Sequence, residues 1–136
     1  MTQHTACCAC GQLQIDVEGE PAFVAVCNCT QCQRRTGSAF GVSSYFSDNQ
    51  VSAAQGEHTA FARSSDAGRQ GVFHFCPTCG STVFWVLDAF PGHTGVAVGC
   101  FADPDFPAPT VVVWAAHKHR WVDFPTGMPQ LAGQTP

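Results

Sequence analysis

Short runs of β-branched and aromatic residues recur along the chain between Gly, Pro, Asn and Asp breaks: Gln12 to Glu18, Ala22 to Cys27, Ser38 to Phe46, His58 to Arg63, Gln70 to Cys76, Thr82 to Leu87, Gly95 to Cys100 and Thr110 to Ala115. Runs of this length, punctuated this way, predict an antiparallel all-β domain. Leu13, Ile15 and Val17 alternate with polar residues, as do Phe73 and Phe75, which places each set on one face of a half-buried strand. Val83 to Leu87 is apolar throughout and reads as a strand buried on both faces. One helix is expected. It begins near Asn28 or Thr30, either of which can cap it, and stops at Gly37, which suits the left-handed position after a helix end. Ser64 to Gly71 reads as a polar loop, Asp103 to Pro109 as irregular because of its prolines, and the tail beyond Met128 as frayed.

A length of 136 residues is that of one ordinary domain. The formal charge is -4, with only six Lys and Arg, and these form no stripe along which a phosphate backbone could lie, so nucleic acid is excluded as a partner. The N-terminal residues show no basic stretch followed by an apolar run, and the longest apolar stretch, Val111 to Ala116, is far too short to span a bilayer. A soluble, cytoplasmic protein with no membrane partner is expected. In a reducing compartment, clustered cysteines point to metal or catalysis rather than disulfides, and nine cysteines leave one unpaired in any fully oxidised scheme.

Seven of those cysteines fall into three clusters: Cys8-x-Cys10-Gly, Cys27-x-Cys29-x-x-Cys32 and Cys76-Pro-Thr-Cys79-Gly. A glycine follows the last cysteine of the first and third clusters, where the chain must turn tightly for amides to approach the sulfurs, as in a zinc knuckle. Cys8, Cys10, Cys76 and Cys79 are assigned to one structural Zn²⁺, which closes a loop of about 65 residues. Cys27, Cys29 and Cys32 converge at a strand-to-helix junction with no fourth local ligand, and the helix start directs partial positive charge at their thiolates. Zinc held by four thiolates is closed, whereas zinc held by three keeps a vertex for water or substrate. Other partitions remain open from spacing alone, for example Cys8, Cys10, Cys27 and Cys29 together with His74 completing a second closed site. Seven thiolates on two Zn²⁺ ions would shift the formal charge by -3, to -7. Cys7 and Cys100 read as small buried hydrophobes, His74 as an ordinary hydrogen-bonded histidine, and His117 and His119 as surface residues at a strand end.

Cys8-Ala9-Cys10-Gly11, the run from Cys27 through Cys29, Cys32, Gln33, Arg34, Arg35, Thr36, Gly37 and Ser38 to Phe40, and Phe75-Cys76-Pro77-Thr78-Cys79-Gly80 together resemble the family of glutathione-dependent formaldehyde-activating enzymes, shared with centromere protein V. Val96-Ala97-Val98-Gly99, Asp103-Pro104, Trp121 and Gly127-Met128-Pro129 resemble the family's later strands and closing segment, so that the likeness spans residues 5–131 as one domain. It implies an Mss4-like (β-tent) fold of antiparallel sheets around the structural zinc, with one short helix after the central cluster. A second, catalytic zinc at Cys27, Cys29 and Cys32 is also implied. One departure is Arg120, which stands where relatives often carry a proline before the late tryptophan; a histidine common near Val112 is absent as well.

The activity implied by the resemblance is that of a carbon-sulfur lyase acting on a thiol-aldehyde adduct such as S-hydroxymethylglutathione, with glutathione and formaldehyde as small-molecule partners. Arg34, Arg35, Thr36, Gly37 and Ser38 are the candidate contacts to the thiol carrier, although arginines in a helix's last turn are also expected from its dipole. The sequence names no general acid or base and no oligomeric state. The rival readings are a non-catalytic zinc module that binds a protein partner and an enzyme of the same fold acting on a different small aldehyde or thiol adduct.

Overall fold

The protein is described by a computed structural model covering residues 2–65 and 68–134. Its described strands are β1 (Gln3–Cys7), β2 (Gln14–Glu18), β3 (Phe23–Cys27), β4 (Gly41–Ser47), β5 (Thr59–Ser64), β6 (Gln70–Phe75), β7 (Thr82–Leu87), β8 (His93–Ala97) and β9 (Val111–Val113), with one α-helix, α1 (Thr30–Thr36), between β3 and β4. β1 and β2 form a two-stranded antiparallel ribbon, and the rest form a seven-stranded sheet in the order β5-β6-β7-β8-β4-β3-β9. The mostly β architecture with a single short helix is the expected one.

Four local expectations need correction. β1, with the polar sequence Gln-His-Thr-Ala-Cys, carries little strand signal of its own; its ladder with β2, from Gln3 opposite Glu18 to Cys7 opposite Gln14, supplies the pairing that propensity does not. β9 runs parallel to β3, so the large sheet is mixed rather than wholly antiparallel. The run from Gly95 to Cys100 leaves the sheet at Ala97 and becomes a 3₁₀ turn, Val98–Phe101. The tail is docked rather than frayed: Val112 donates to Pro129 O at 2.9 Å, Leu131 to Val112 O at 2.8 Å and Trp114 to Gly133 O at 3.0 Å, so residues 129–133 extend the sheet beyond β9.

The large sheet buries apolar side chains on both faces. Against one face the ribbon packs Ala6, Leu13, Ile15 and Val17 onto Val24, Phe46, Val83, Phe84 and Val96, with Phe101 and Phe106 stacked 4.3 Å apart beside them. On the other face lie Tyr45, Phe73, Trp85 and Ala97, flanked by Phe23, Leu87 and Phe90. β7 therefore sends Phe84 into one layer and its neighbour Trp85 into the other, as a continuous apolar run should. The burial stops at Val86, which is 48 % exposed next to its cross-strand partner Val72. Among the described residues no helix is long and apolar enough to cross a membrane.

Candidate metal centre

The two turns that end in Cys-Gly are built alike. Gly11 and Gly80 both take positive φ, 86° and 82°, and each donates its amide to the carbonyl of a cysteine, Gly11 to Cys8 at 3.0 Å and Gly80 to Cys76 at 2.8 Å. A residue with a Cβ is strained in that conformation, which explains the glycine after each cluster. The turns bring Cys8, Cys10, Cys76 and Cys79 together with all four sulfurs within 4.8 Å of one another. Cys8 and Cys10 Sγ are 3.6 Å apart, and Cys10 and Cys76 Sγ are 3.7 Å apart. Tetrahedral zinc-thiolate bonds of about 2.3 Å require sulfurs about 3.8 Å apart, so this donor set fits the ion.

Donors surround these sulfurs. Leu13 N–H points at Cys8 Sγ at 3.3 Å, Thr78 N–H at Cys76 Sγ at 3.3 Å, and the Gln12 amide at Cys76 Sγ at 2.9 Å. Hydrogen bonds from the Ser81 hydroxyl and backbone, with help from the Cys10 backbone, lower the Cys79 thiol to about 5. Gln12 also grips Glu57 through both amide atoms, at 2.7 and 2.9 Å, and so ties the β4–β5 connection to the site.

The second cluster forms where β3 becomes α1. Cys27 is the last residue of β3, on the same face as Phe23 and Ala25. Asn28 is fully buried and anchors the junction, its backbone and side-chain N–H groups both reaching Val113 O at 3.1 Å. Cys29 is the N-cap, its sulfur accepting from Cys32 N–H at 3.3 Å where an oxygen usually serves. Gly37 closes the helix in the left-handed conformation, φ 65°. The sulfurs of Cys27, Cys29 and Cys32 lie within 4.8 Å of one another, and among the described residues no further His, Cys, Asp or Glu ligand atom joins them.

Without a cation these thiols compete for charge. Hydrogen bonds from Cys27 and Cys29, aided by the charges of Arg35 and Arg63, lower Cys32 to about 3. Cys27 is pushed far up, because it gives hydrogen bonds to Cys29 and Cys32 and is itself buried. A cluster that keeps a proton on one member and holds a thiolate on another is a donor set for a dication, which alone lets all three ionise.

The three sulfurs stand at one end of a cavity of about 260 Å³ over the second face of the sheet. Phe73, Trp85, Tyr45 and Leu87 form its floor, Trp114 after β9 and Leu131 and Gln134 of the docked tail border it, and Arg35 and Arg63 are its cations. Trp85 Nε1 donates to Tyr45 Oη at 3.3 Å, and burial raises the tyrosine to about 12, so it stays a neutral phenol.

Of the five residues expected to touch a thiol carrier, Arg35 alone lines this cavity. Thr36 faces an outer groove, and its hydroxyl bonds Cys32 O at 2.9 Å. Arg34, Gly37 and Ser38 border a separate open groove with His119 and Trp121. His119 pairs with Gln33 Oε1 at 3.0 Å, and His74 lies 3.0 Å from His58, ring nitrogen to ring nitrogen. Sequence reasoning missed Arg63, Tyr45, Trp85 and Gln12. Only Gln12 carried a signal, its place immediately after Cys-x-Cys-Gly; the others reach the site through strand pairing.

A family model described as "Glutathione-dependent formaldehyde-activating enzyme" matches residues 3–117. A structural-genomics crystal structure of a Rhodobacter sphaeroides protein superposes with a TM-score of 0.58 at 23% identity, covering 74% of this chain and 91% of that one. That likeness speaks to the fold. No curated protein matches the chain.

Proposed function

The chain belongs to the family of glutathione-dependent formaldehyde-activating enzymes, and from that membership we propose that it is a cytoplasmic, zinc-dependent carbon-sulfur lyase acting on a thiol-aldehyde adduct such as S-hydroxymethylglutathione. The observation that carries this reading is the three-sulfur cluster opening onto a cavity with no fourth ligand atom among the described residues. In this reading Cys8, Cys10, Cys76 and Cys79 hold a structural Zn²⁺ and Cys27, Cys29 and Cys32 a catalytic one. The second ion, when bound, supplies a free electrophilic vertex that receives a thiol sulfur and favours its ionised form at neutral pH.

The chain's own residues do the rest. Cys29 and Cys32 are held by the first turn of α1 and Cys27 by the end of β3, so the donor triangle is set before any substrate arrives. Trp85, Phe73 and Tyr45 give the reacting carbon an apolar floor that limits water, and Arg35 and Arg63 bring fixed positive charge beside developing negative charge. Confinement of the two reactants in one small chamber supplies the orientation. A reducing compartment follows from the need to keep seven ligand cysteines as thiols.

Exchange-rate NMR on glutathione and formaldehyde tests the reading directly. Zinc-loaded protein should accelerate interconversion with the adduct, and Cys32→Ser should not. No acceleration by the two-zinc form removes the claim.

A further inference from the structure

Arg35 and Arg63 are an unusual use of scarce charge, since the chain has only six Lys and Arg. Both lie on the same wall of the three-cysteine cavity, Arg35 Cζ 4.5 Å over the Trp85 ring and Arg63 Cζ 4.2 Å over the Phe73 ring. The two rings are cross-strand neighbours, 5.4 Å apart. Among the described residues no Asp or Glu lines the cavity and neither guanidinium has a carboxylate partner.

Arg35 is the more telling of the two. The described buried side-chain atoms that lack any hydrogen-bond partner are Asn28 Oδ1 and the Nε and Nη2 of Arg35. Those two nitrogens form one edge of the guanidinium, with parallel N–H bonds spaced to meet both oxygens of a carboxylate. Trp85 covers one flat face, and Nη2 packs over the bare backbone of Gly41, 2.6 Å from where a Cβ would stand. Burying such an edge unmatched is costly, and the cost is recovered when an acceptor enters. Formaldehyde, neutral and with one oxygen, lacks both the charge and the second acceptor that match the two prongs.

We propose that the Arg35–Arg63 pair is a carboxylate subsite beside the three-cysteine centre, so that the natural substrate is an adduct whose carboxylate lies near the reacting sulfur. This rests on the lyase reading above and narrows it to adducts that hold a carboxylate close to the reacting sulfur. The carboxylate is carried either by the thiol or by the aldehyde half, as in a short 2-oxo acid.

Cobalt-substituted full-length protein gives a readout independent of turnover, because a sulfur entering the open vertex alters the visible spectrum. Titrations with mercaptoacetate and 2-mercaptoethanol compare a charged with a neutral thiol, and 2-mercaptoethanol with glyoxylate or formaldehyde places the charge on the other half. The expected result is about tenfold or greater preference for the carboxylate in one arm. The arm that shows it identifies the half that carries the charge. In Arg35→Met and Arg63→Met, which keep an apolar stem on the ring, that ratio should fall to about twofold or less, with metal content unchanged; either variant suffices if the other fails to fold. Spectral responses of equal affinity in both arms overturn the subsite and leave the open vertex standing. A preference that survives in both variants overturns the assignment to the guanidiniums. No response to any thiol overturns the lyase reading and this inference with it.

Discussion

Gly95 is the residue on which the cavity floor depends, and its replacement tests the packing account quantitatively. It is not among the glycines with positive φ, so its role is space rather than backbone freedom. A Cβ built there would lie 2.1 Å from Trp85 Nε1 and 2.5 Å from Cδ1, distances that no real Cβ tolerates. To restore a contact of about 3.4 Å the indole or the β8 backbone must move by roughly 1.3 Å. Trp85 is 2 % exposed, donates to Tyr45 and carries Arg35 on its ring, so the indole has room only toward the cavity and moves there only by disturbing both contacts. Overpacking of this kind costs about 1–3 kcal/mol, and weakening the Tyr45 hydrogen bond and the guanidinium stack adds about 1 kcal/mol more, for a total of roughly 2–4 kcal/mol in Gly95→Ala. With an m-value of about 1.5 kcal/mol/M, urea unfolding at fixed excess zinc should show the midpoint lowered by roughly 1.3–2.7 M. Gly99→Ala is the control, because nothing lies within 4 Å of its added Cβ and φ is not positive. A Gly95→Ala midpoint within about 0.3 M of that control would refute the claim that the indole is pinned against β8.

Three further outcomes follow from the sites and the tail. Gln12→Ala removes the 2.9 Å contact to Cys76 Sγ and both bonds to Glu57; stability should drop by about 1–3 kcal/mol in thermal melts, and a colorimetric chelator should extract zinc faster than from wild type. In the metal-free protein Cys27 and Cys29 are both raised and so hold their protons at neutral pH, while Cys32, at about 3, is already ionised; zinc must displace both protons, so loading in weak buffer should acidify the solution and apparent zinc affinity at this cluster should rise from pH 6 to pH 8, as calorimetry in buffers of different ionisation heat would measure. Deleting residues 129–134 strips the backbone bonds to Val112, Trp114 and Ala115 and unroofs the cavity, so the melting temperature should fall by about 5 °C or more and thiol binding should weaken, while the four-cysteine site keeps its metal.

Local chemistry accounts for what was legible in advance. The Cys-Gly turns had to be tight because sulfur and amide approach each other within a few residues, and the structure duly puts Gly11 and Gly80 at positive φ. Gly37 ended the helix for the same kind of reason, and the alternation of Leu13, Ile15 and Val17 marked the face that the ribbon buries. Family membership was legible too, since its motifs lie in short contiguous runs. β1 was not, because its polar residues become a strand only when β2 offers them a ladder, nor was the tail, whose order comes from the free edge of β9.

Spacing along the chain thus determined which cysteines form local groups, where the chain turns between them and that its strands should bury apolar faces. Only the tertiary structure decided that Arg63, on β5, would share the cavity with Arg35 of α1, and that Trp85 of β7 would pack against its cross-strand partner Gly95 of β8. The physical reason is range. Turns, caps and sulfur knuckles are settled by interactions among residues a few positions apart, whereas a cavity is the space left after distant strands have chosen their register, and no single segment encodes it.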